Sequence, residues 1–562
     1  MTEIVDVDVL VVGGGAAAQR AAIEAHRAGA RVALAIKGRL GGIGLRGSGA
    51  TASGTATDRR SLWPVGRSGE VIETAYDDII QLGLGMADPD LAQIVAEETP
   101  AVAWRALQRI GVQLLPFRGW SVYGIVPALA AAIRQTDCEL HENTMITTLL
   151  TPNNACIGAV GINEETGELF AFRSGAVILG AGGGAQLFRH NVHPPCITGD
   201  GYAIGYRAGA KLINLEFMQI FLGTVFPTVN NIGNWVWGQD IRVYNSKGEE
   251  FLPNYLPPDA SLTEARTQAV RHNPFSTRDP LSRYLNVALM KEVMAGRGTA
   301  HGGIHMDLTA AGVRAPEERD IWLRYRGIDW DRQPFEVVVY PQCSHGGFRI
   351  DRHAQTAVPG LYAVGECAAG SYGADRHAGN MMSACQVFGA RAGRHAARWA
   401  TGSKHPALQQ DALAAEQGRI DALKARRGGL KPGEIRRELQ QAAWNYLLAV
   451  RTEAGLKLFL KTIDALTVEK LPAISVKGGK ELVEALELEN LLLYGEMVGK
   501  AALMRSESRG GHYREDYPRQ DDANWLKSIS VGNVDGKMEL ETIALQADWR
   551  SRPGDMGAEH WG

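Results

Sequence analysis

The chain has only six cysteines, at positions 138, 156, 196, 343, 367 and 385, and no two of them stand in a Cys-x-x-Cys spacing. That excludes a sequence-evident iron–sulfur cluster, zinc ribbon or attached c-type haem, so no metal site is expected and the thiols read as reduced and mostly buried. An excess of one charge is missing as well. The 59 basic residues face 62 acidic ones for a net charge of −3, which speaks against a nucleic-acid surface or a polybasic membrane attachment. No uninterrupted apolar stretch reaches the length of a membrane span, and no basic–apolar–small leader precedes the first strand-like run, so a cytoplasmic location is expected. Internal repeats and low-complexity tracts are absent. What remains is a globular chain of 562 residues, too long for one core and sufficient for about three to five units of roughly 100–200 residues.

Three glycine-rich segments lie far apart in it. The first, Gly13, Gly14, Gly15, Ala16, Ala17 and Ala18, follows the β-branched apolar run 8–12 and precedes the helix-forming run 20–25. Strand, glycine turn and helix therefore arrive in the order of a dinucleotide-binding βαβ unit, completed by the strand-like 31–36. Glycines at 13 and 15 allow backbone to approach a pyrophosphate, whose charge a helix N-terminus stabilises. Ile36 and Lys37 occupy the place of the usual ribose-binding carboxylate, which weakens NAD as the ligand. The other two segments, 198–201 with Asp200 and 358–366 with Glu366, complete a pattern that points to FAD, Glu366 being placed after a late strand to bind a ribose hydroxyl.

The run of small residues 41–54 suits backbone lying against a flat ring, and 89–112 carries an amphipathic helical pattern. A buried strand at 176–179 runs into another glycine turn, and between about 221 and 340 the composition shifts to Trp, Tyr, Pro and Arg. Helical periodicity dominates from about 405 to 505. The expected class is α/β: a discontinuous Rossmann-like FAD-binding domain (1–220 and 341–404), an inserted α+β capping domain (221–340), a C-terminal helical bundle (405–520) and a polar tail (521–562).

Several long motifs resemble the flavoprotein subunits of succinate dehydrogenase and fumarate reductase, a family that includes L-aspartate oxidase and, more distantly, adenylylsulfate reductase. They are 198–210, 215–219, the Ser-Thr-Arg-Asp-Pro-Leu-Ser-Arg run 276–283, Gly365-Glu366, 373–380 and the Ser-Arg-Gly-Gly-His-Tyr-Arg-Glu-Asp run 508–516. The resemblance spans almost the whole chain. It implies that Gly13 to Ala18 bind the FAD pyrophosphate and that Lys37 and the 41–54 run, with Gly42, Ser48, Gly49 and Ala50, hold the adenosine and flavin portions. Asp200 and Glu366 would also meet the cofactor. A helix starting near Asn380 would aim at the flavin pyrimidine and raise its potential, with Met381 and Met382 where relatives often carry Ser-Leu. The covalent histidine of membrane-bound relatives falls near Ile43, so FAD is expected to be non-covalent, which favours reductase or oxidase directions.

By the same resemblance, Arg278 matches the family's proton-transfer arginine and Arg376 the arginine that grips a substrate carboxylate. The acidic relay of fumarate reductases is altered to Lys247-Gly248-Glu249-Glu250, which pairs Arg278 with Glu250. Phe221 takes the place of a substrate histidine, Gly233-Asn234 that of a Thr-Glu pair, and a second substrate histidine is replaced by Ser344 or supplied by His345. Phe221, Trp235, Trp237 and Tyr372 add apolar surface, so a substrate larger than succinate or fumarate, with one carboxylate or a similar group, is expected. Electrons are expected to pass to a separate iron–sulfur or ferredoxin-like subunit that docks on the helical bundle. His512 and its charged neighbours are expected to staple that bundle to the FAD domain. An amino acid or amine oxidase using oxygen, and a flavin electron-transfer subunit without its own substrate, are the alternative readings.

Overall fold

The computed structural model describes the chain except for residues 1–2, 42–68, 113, 116–119, 122–124, 272–273, 311, 377–378, 402–406, 409 and 546–562. Its centre is a sheet ordered β3-β2-β1-β6-β5-β4, made of Glu3–Val12 (β1), Val32–Ala35 (β2), Glu139–His141 (β3), Thr144–Leu150 (β4), Gly158–Asn163 (β5) and Leu169–Leu179 (β6). The short strand that later carries Leu361–Ala363 pairs in parallel with the end of β6. Strands β1, β2, β3 and β6 run parallel, and β1 is almost wholly apolar and buried over Val9–Val12, as a strand covered on both faces must be.

The chain leaves β1 through Gly13 at φ +113°, where a side chain would overlap the Gly180 carbonyl at the end of β6. Helix Ala16–Arg27 (α1) starts three residues later, with Gly15 as its N-cap and Gln19 Nε2 donating to Gly14 O at 2.7 Å. The helical pattern read at 89–112 is present as Pro89–Glu98 (α2) followed by further turns through Arg109. The Asp88 carboxylate accepts from the N–H groups of Asp90 and Leu91, and Pro89 opens the helix without wasting a donor. Helix Asp200–Arg207 (α3) follows the second glycine motif.

A second, mostly antiparallel sheet belongs to the inserted region. Met218–Phe226 (β8, after the short β7 at Leu212–Ile213) pairs with Asn230–Asn231 (β9) and with the long Phe335–Ser344 (β12), and Arg242–Tyr244 (β10) with Ile304–Asp307 (β11), which joins β12. Helices Leu262–Arg271 (α4) and Arg283–Glu292 (α5) accompany it. Beyond the sheet regions lie helix Asn380–Thr401 (α6) and the helices Gln410–Ala425 (α7), Pro432–Tyr446 (α8), Glu453–Ala465 (α9) and Gly479–Met504 (α10).

The region read as a tail differs from that expectation. Lys527–Val534 and Lys537–Ala544 form a hairpin whose first strand pairs with β7, adding to a small sheet with Gly347–Phe348. Its burial pattern explains the misreading: Ser528 to Gly532 are buried although three of these five residues are serine or glycine, so the segment carries little apolar signal.

Candidate functional site

Gly13, Gly14, Gly15, Lys37, Asp200 and Glu366, read separately from sequence, line one cleft at the C-terminal ends of β1, β2 and β6. Its position is the one where open α/β sheets bind ligands. Ala16, Ala17 and Ala18 form the first turn of α1, whose N-cap Gly15 lines the cleft, a helix N-terminus suited to a pyrophosphate. Gly42, Ile43, Ser48, Gly49 and Ala50 lie outside the described residues.

Lys37 Nζ lies 2.5 Å from Asp200 Oδ2 and donates to Thr198 Oγ1 at 2.8 Å. Glu366 Oε1 accepts from the Ser344 N–H at 2.8 Å, and burial raises its carboxyl to about 7 against the pull of that donor. Helix α6 begins at Asn380, whose buried side-chain amide has neither its oxygen nor its nitrogen hydrogen-bonded among the described residues. A buried orphan amide at a helix N-terminus is what a bound polar group would satisfy. Met381 and Met382 follow in the first turn, Met382 buried. These residues therefore fit FAD.

Arg376 is buried. Its Nη2 donates to Gln342 Oε1 at 3.0 Å and to Cys343 Sγ at 3.4 Å. His345 is 2% exposed; burial and then the Arg376 charge push it down to about 3 against a hydrogen bond to the Ala374 backbone, so it is a neutral imidazole. Its ring lies 6.2 Å from that of the buried Tyr372. Besides Ser344 and His345, which the sequence offered for the second substrate histidine, the structure brings Gln342 against Arg376.

The pairing of β8 with β12 shows why. Gln219 faces Cys343 and Ile220 faces Pro341, so Gln342 is the extra residue of a β-bulge. Bulges leave one residue unpaired and re-aim its side chain. Here the freed Gln342 carbonyl accepts from His193 Nε2, and His193 itself lines the cofactor cleft. Cys343 in turn donates to Gln219 Oε1 at 3.6 Å. Phe221 is buried two residues along from Gln219 on the same face of β8, paired with Tyr340 across the sheet.

Arg278 is half-buried, and its guanidinium has no hydrogen-bond or ion-pair partner among the described residues; its own N–H donates to Ser276 Oγ at 3.3 Å. The expected pairing with Glu250 is not made. Glu250 pairs with Arg242 at 3.0 Å on the surface, because the Asn245–Gly248 turn folds the chain back so that Glu250 bridges Tyr244 beside Arg242. Asn234 is buried, with Nδ2 donating to Ala269 O of α4 at 2.9 Å, and Trp235 packs edge-on against Trp330 within the inserted region.

The loops carrying the two arginines meet on one C-terminal motif. The Thr277 N–H donates to Gly510 O at 2.9 Å and Gly511 N–H to Ala374 O at 3.4 Å; side chains at 510 and 511 would overlap Ala374 and Met218 backbone. Behind it, Arg505 pairs with Glu216 at 2.7 Å and Glu507 at 2.8 Å, all fully buried, and Arg451 Nη1 meets His512 Nδ1 at 2.5 Å. His512 thus joins an ion network that staples the helices to the sheet domain.

Comparison with known proteins fits this geometry. A model described as "FAD binding domain" matches residues 8–120 and 121–382, and one described as "Fumarate reductase flavoprotein C-term" matches 436–553. The chain is 31% identical over 578 residues to one of the subunits of the fumarate reductase (CoM/CoB) of Methanothermobacter marburgensis, covering 96% of this chain and 99% of that one. It is 29% identical to the L-aspartate oxidase of Streptomyces coelicolor over 95% of this chain and 93% of that one. Among solved structures, the Sdh1 complex of Mycobacterium smegmatis superposes with a TM-score of 0.81 at 27% identity, covering 97% of this chain and 95% of that one. FAD is the cofactor of this fold.

Proposed function

The chain belongs to the FAD-dependent oxidoreductases of the fumarate reductase and succinate dehydrogenase flavoprotein family, and we propose that it acts on a carbon–carbon bond adjacent to a single carboxylate, in a substrate larger than fumarate. The observation that carries this reading is the surroundings of Arg376: a buried guanidinium flanked by the neutral Gln342 and Cys343, with Phe221 along the same strand face as Gln219.

Arg376 binds one carboxylate through its charge and donor fork. A second carboxylate would find amide, thiol, neutral imidazole and phenyl groups where charge is needed, at a desolvation cost these groups do not offset. An apolar or neutral polar substituent is accommodated instead. Bound FAD supplies the exchange of a hydride with the substrate carbon; Arg278 holds the proton for the neighbouring carbon. Because the Glu250 carboxylate lies elsewhere, that proton reaches Arg278 from solvent or from groups other than the family's acidic relay.

Reduction of the double bond is the favoured direction, in keeping with a cofactor held without a covalent bond. The electrons come from a separate iron–sulfur or ferredoxin-like protein. Two relatives support a partner: the methanogen protein is one subunit of its enzyme, and the mycobacterial one belongs to a complex. The test is anaerobic. Chemically reduced holoenzyme is mixed with fumarate and with monocarboxylic enoates bearing alkyl or aryl groups, and flavin absorbance is followed. Reoxidation by an enoate faster than by fumarate supports the reading. Faster reoxidation by fumarate, or turnover only with an amino acid and oxygen, overturns it.

A further inference from the structure

One wall of the cofactor cleft is held in place from 450 positions further along the chain. Besides Asp200 and Thr198, the largely buried Lys37 ammonium meets Glu487 Oε1 of α10 at 2.9 Å. Glu487 is 2% exposed, and its other oxygen lies 3.6 Å from Arg436 of α8. One turn along α10, Asn490 Nδ2 donates to Asp200 Oδ1 at 2.9 Å while Asn490 Oδ1 accepts from Arg207 at 2.8 Å. One further turn on, Tyr494 stacks on Tyr202 with ring centroids 4.9 Å apart and fills the space beside Gly184 that a side chain there would need.

Positions 487, 490 and 494 are spaced three and four apart, so they present one face of the helix to the cleft wall. Lys37 and Asp200 line the cleft; Glu487 and Asn490 stand behind them. A buried ammonium needs its charge compensated. Burial works against the charge on Lys37, yet Asp200 and Glu487 together outweigh it and hold the group above its ordinary range. Asp200 thus faces Lys37 with one oxygen and Asn490 with the other, which leaves its carboxylate a single orientation.

We propose that Glu487 and Asn490 are positioning residues for FAD: through Lys37 and Asp200 they set the cleft wall that the cofactor meets, so that the C-terminal helix α10 is part of the FAD site. This holds whatever the substrate is.

FAD is removed and the apoprotein titrated with FAD, following flavin fluorescence, alongside thermal melting of the apo form. Glu487→Gln keeps the shape and removes the charge; the Kd for FAD should rise about tenfold or more, and Asn490→Ala severalfold, while the apo melting temperature moves by a few degrees at most. The double variant Lys37→Gln, Glu487→Gln should bind FAD no more weakly than Lys37→Gln alone, because the second loss acts through the first. A Kd within about twofold of wild type in both single variants, or losses that multiply in the double variant, would overturn the proposal. If Glu487→Gln does not fold, Asn490→Ala and Glu487→Asp decide by the same Kd criterion.

Discussion

Gln342 Oε1 accepts a hydrogen bond from Arg376 Nη2 at 3.0 Å, and it does so from the unpaired position of a β-bulge whose carbonyl is held by His193. A strand residue in regular pairing would not be aimed this way. The bulge makes a neutral amide the immediate neighbour of the proposed carboxylate-binding guanidinium.

Replacing that amide should change recognition more than chemistry. Gln342→Ala is expected to raise KM for the carboxylate substrate about tenfold with a smaller effect on kcat, because Arg376 loses the acceptor that orients it. Steady-state kinetics on a substrate found by the reoxidation screen measure this; an unchanged KM would separate Gln342 from the substrate.

The two arginines should separate in their effects. Arg278→Ala is expected to leave FAD bound and lower turnover by about 10²–10⁴-fold, the range of a lost proton donor. Arg376→Ala should weaken substrate binding as well. Flavin content by absorbance and kcat with KM for each variant give the comparison, and full turnover in Arg278→Ala would remove the proton-transfer role.

Stability should depend on pH through Glu366. Burial raises its carboxyl from 4.5 to about 7, so the folded apoprotein retains a proton that the unfolded chain has released. The stabilisation is complete below pH 4.5 and is lost as pH rises through about 7. Glu366→Gln should abolish this slope, at most about 1.4 kcal/mol per pH unit, in urea denaturation of the apoproteins across that window. His345 acts in the opposite sense: pushed down to about 3, it stabilises above its ordinary 6.5 and loses that effect as pH falls. His345 is common to both proteins, so their difference isolates Glu366.

Acid precipitation should release all FAD into the supernatant, since Ile43 has no nucleophile to bond it. Flavin colour remaining in the washed pellet would show a covalent link.

Much of the cofactor site was legible because its determinants are local. Gly13 to Ala18 lie between a β-branched strand and an alanine-rich helix, and turn, strand and helix preferences act over a few neighbouring residues. Asp200 and Glu366 are read from their own glycine-rich segments and Asn380 and Arg376 from motif resemblance, and the fold brings Asp200 and Glu366 to the same cleft as the first glycine turn. The pairing of Arg278 with Glu250, expected from the altered relay motif, is not made, because a motif does not say which side chain a surface carboxylate meets.

The sequence by itself determined the βαβ start, the helix that opens at Asn380 and the charge and residue types available to the site. Only the tertiary structure decided that Gln342 bulges towards Arg376, that Glu487 and Asn490 close on Lys37 and Asp200, and that the segment 527–544 is a hairpin. The physical reason is range. Backbone preferences are set by adjacent residues, whereas strand register and the partner of a buried charge are set by whichever distant segment packs against it, and no spacing along the chain encodes that choice.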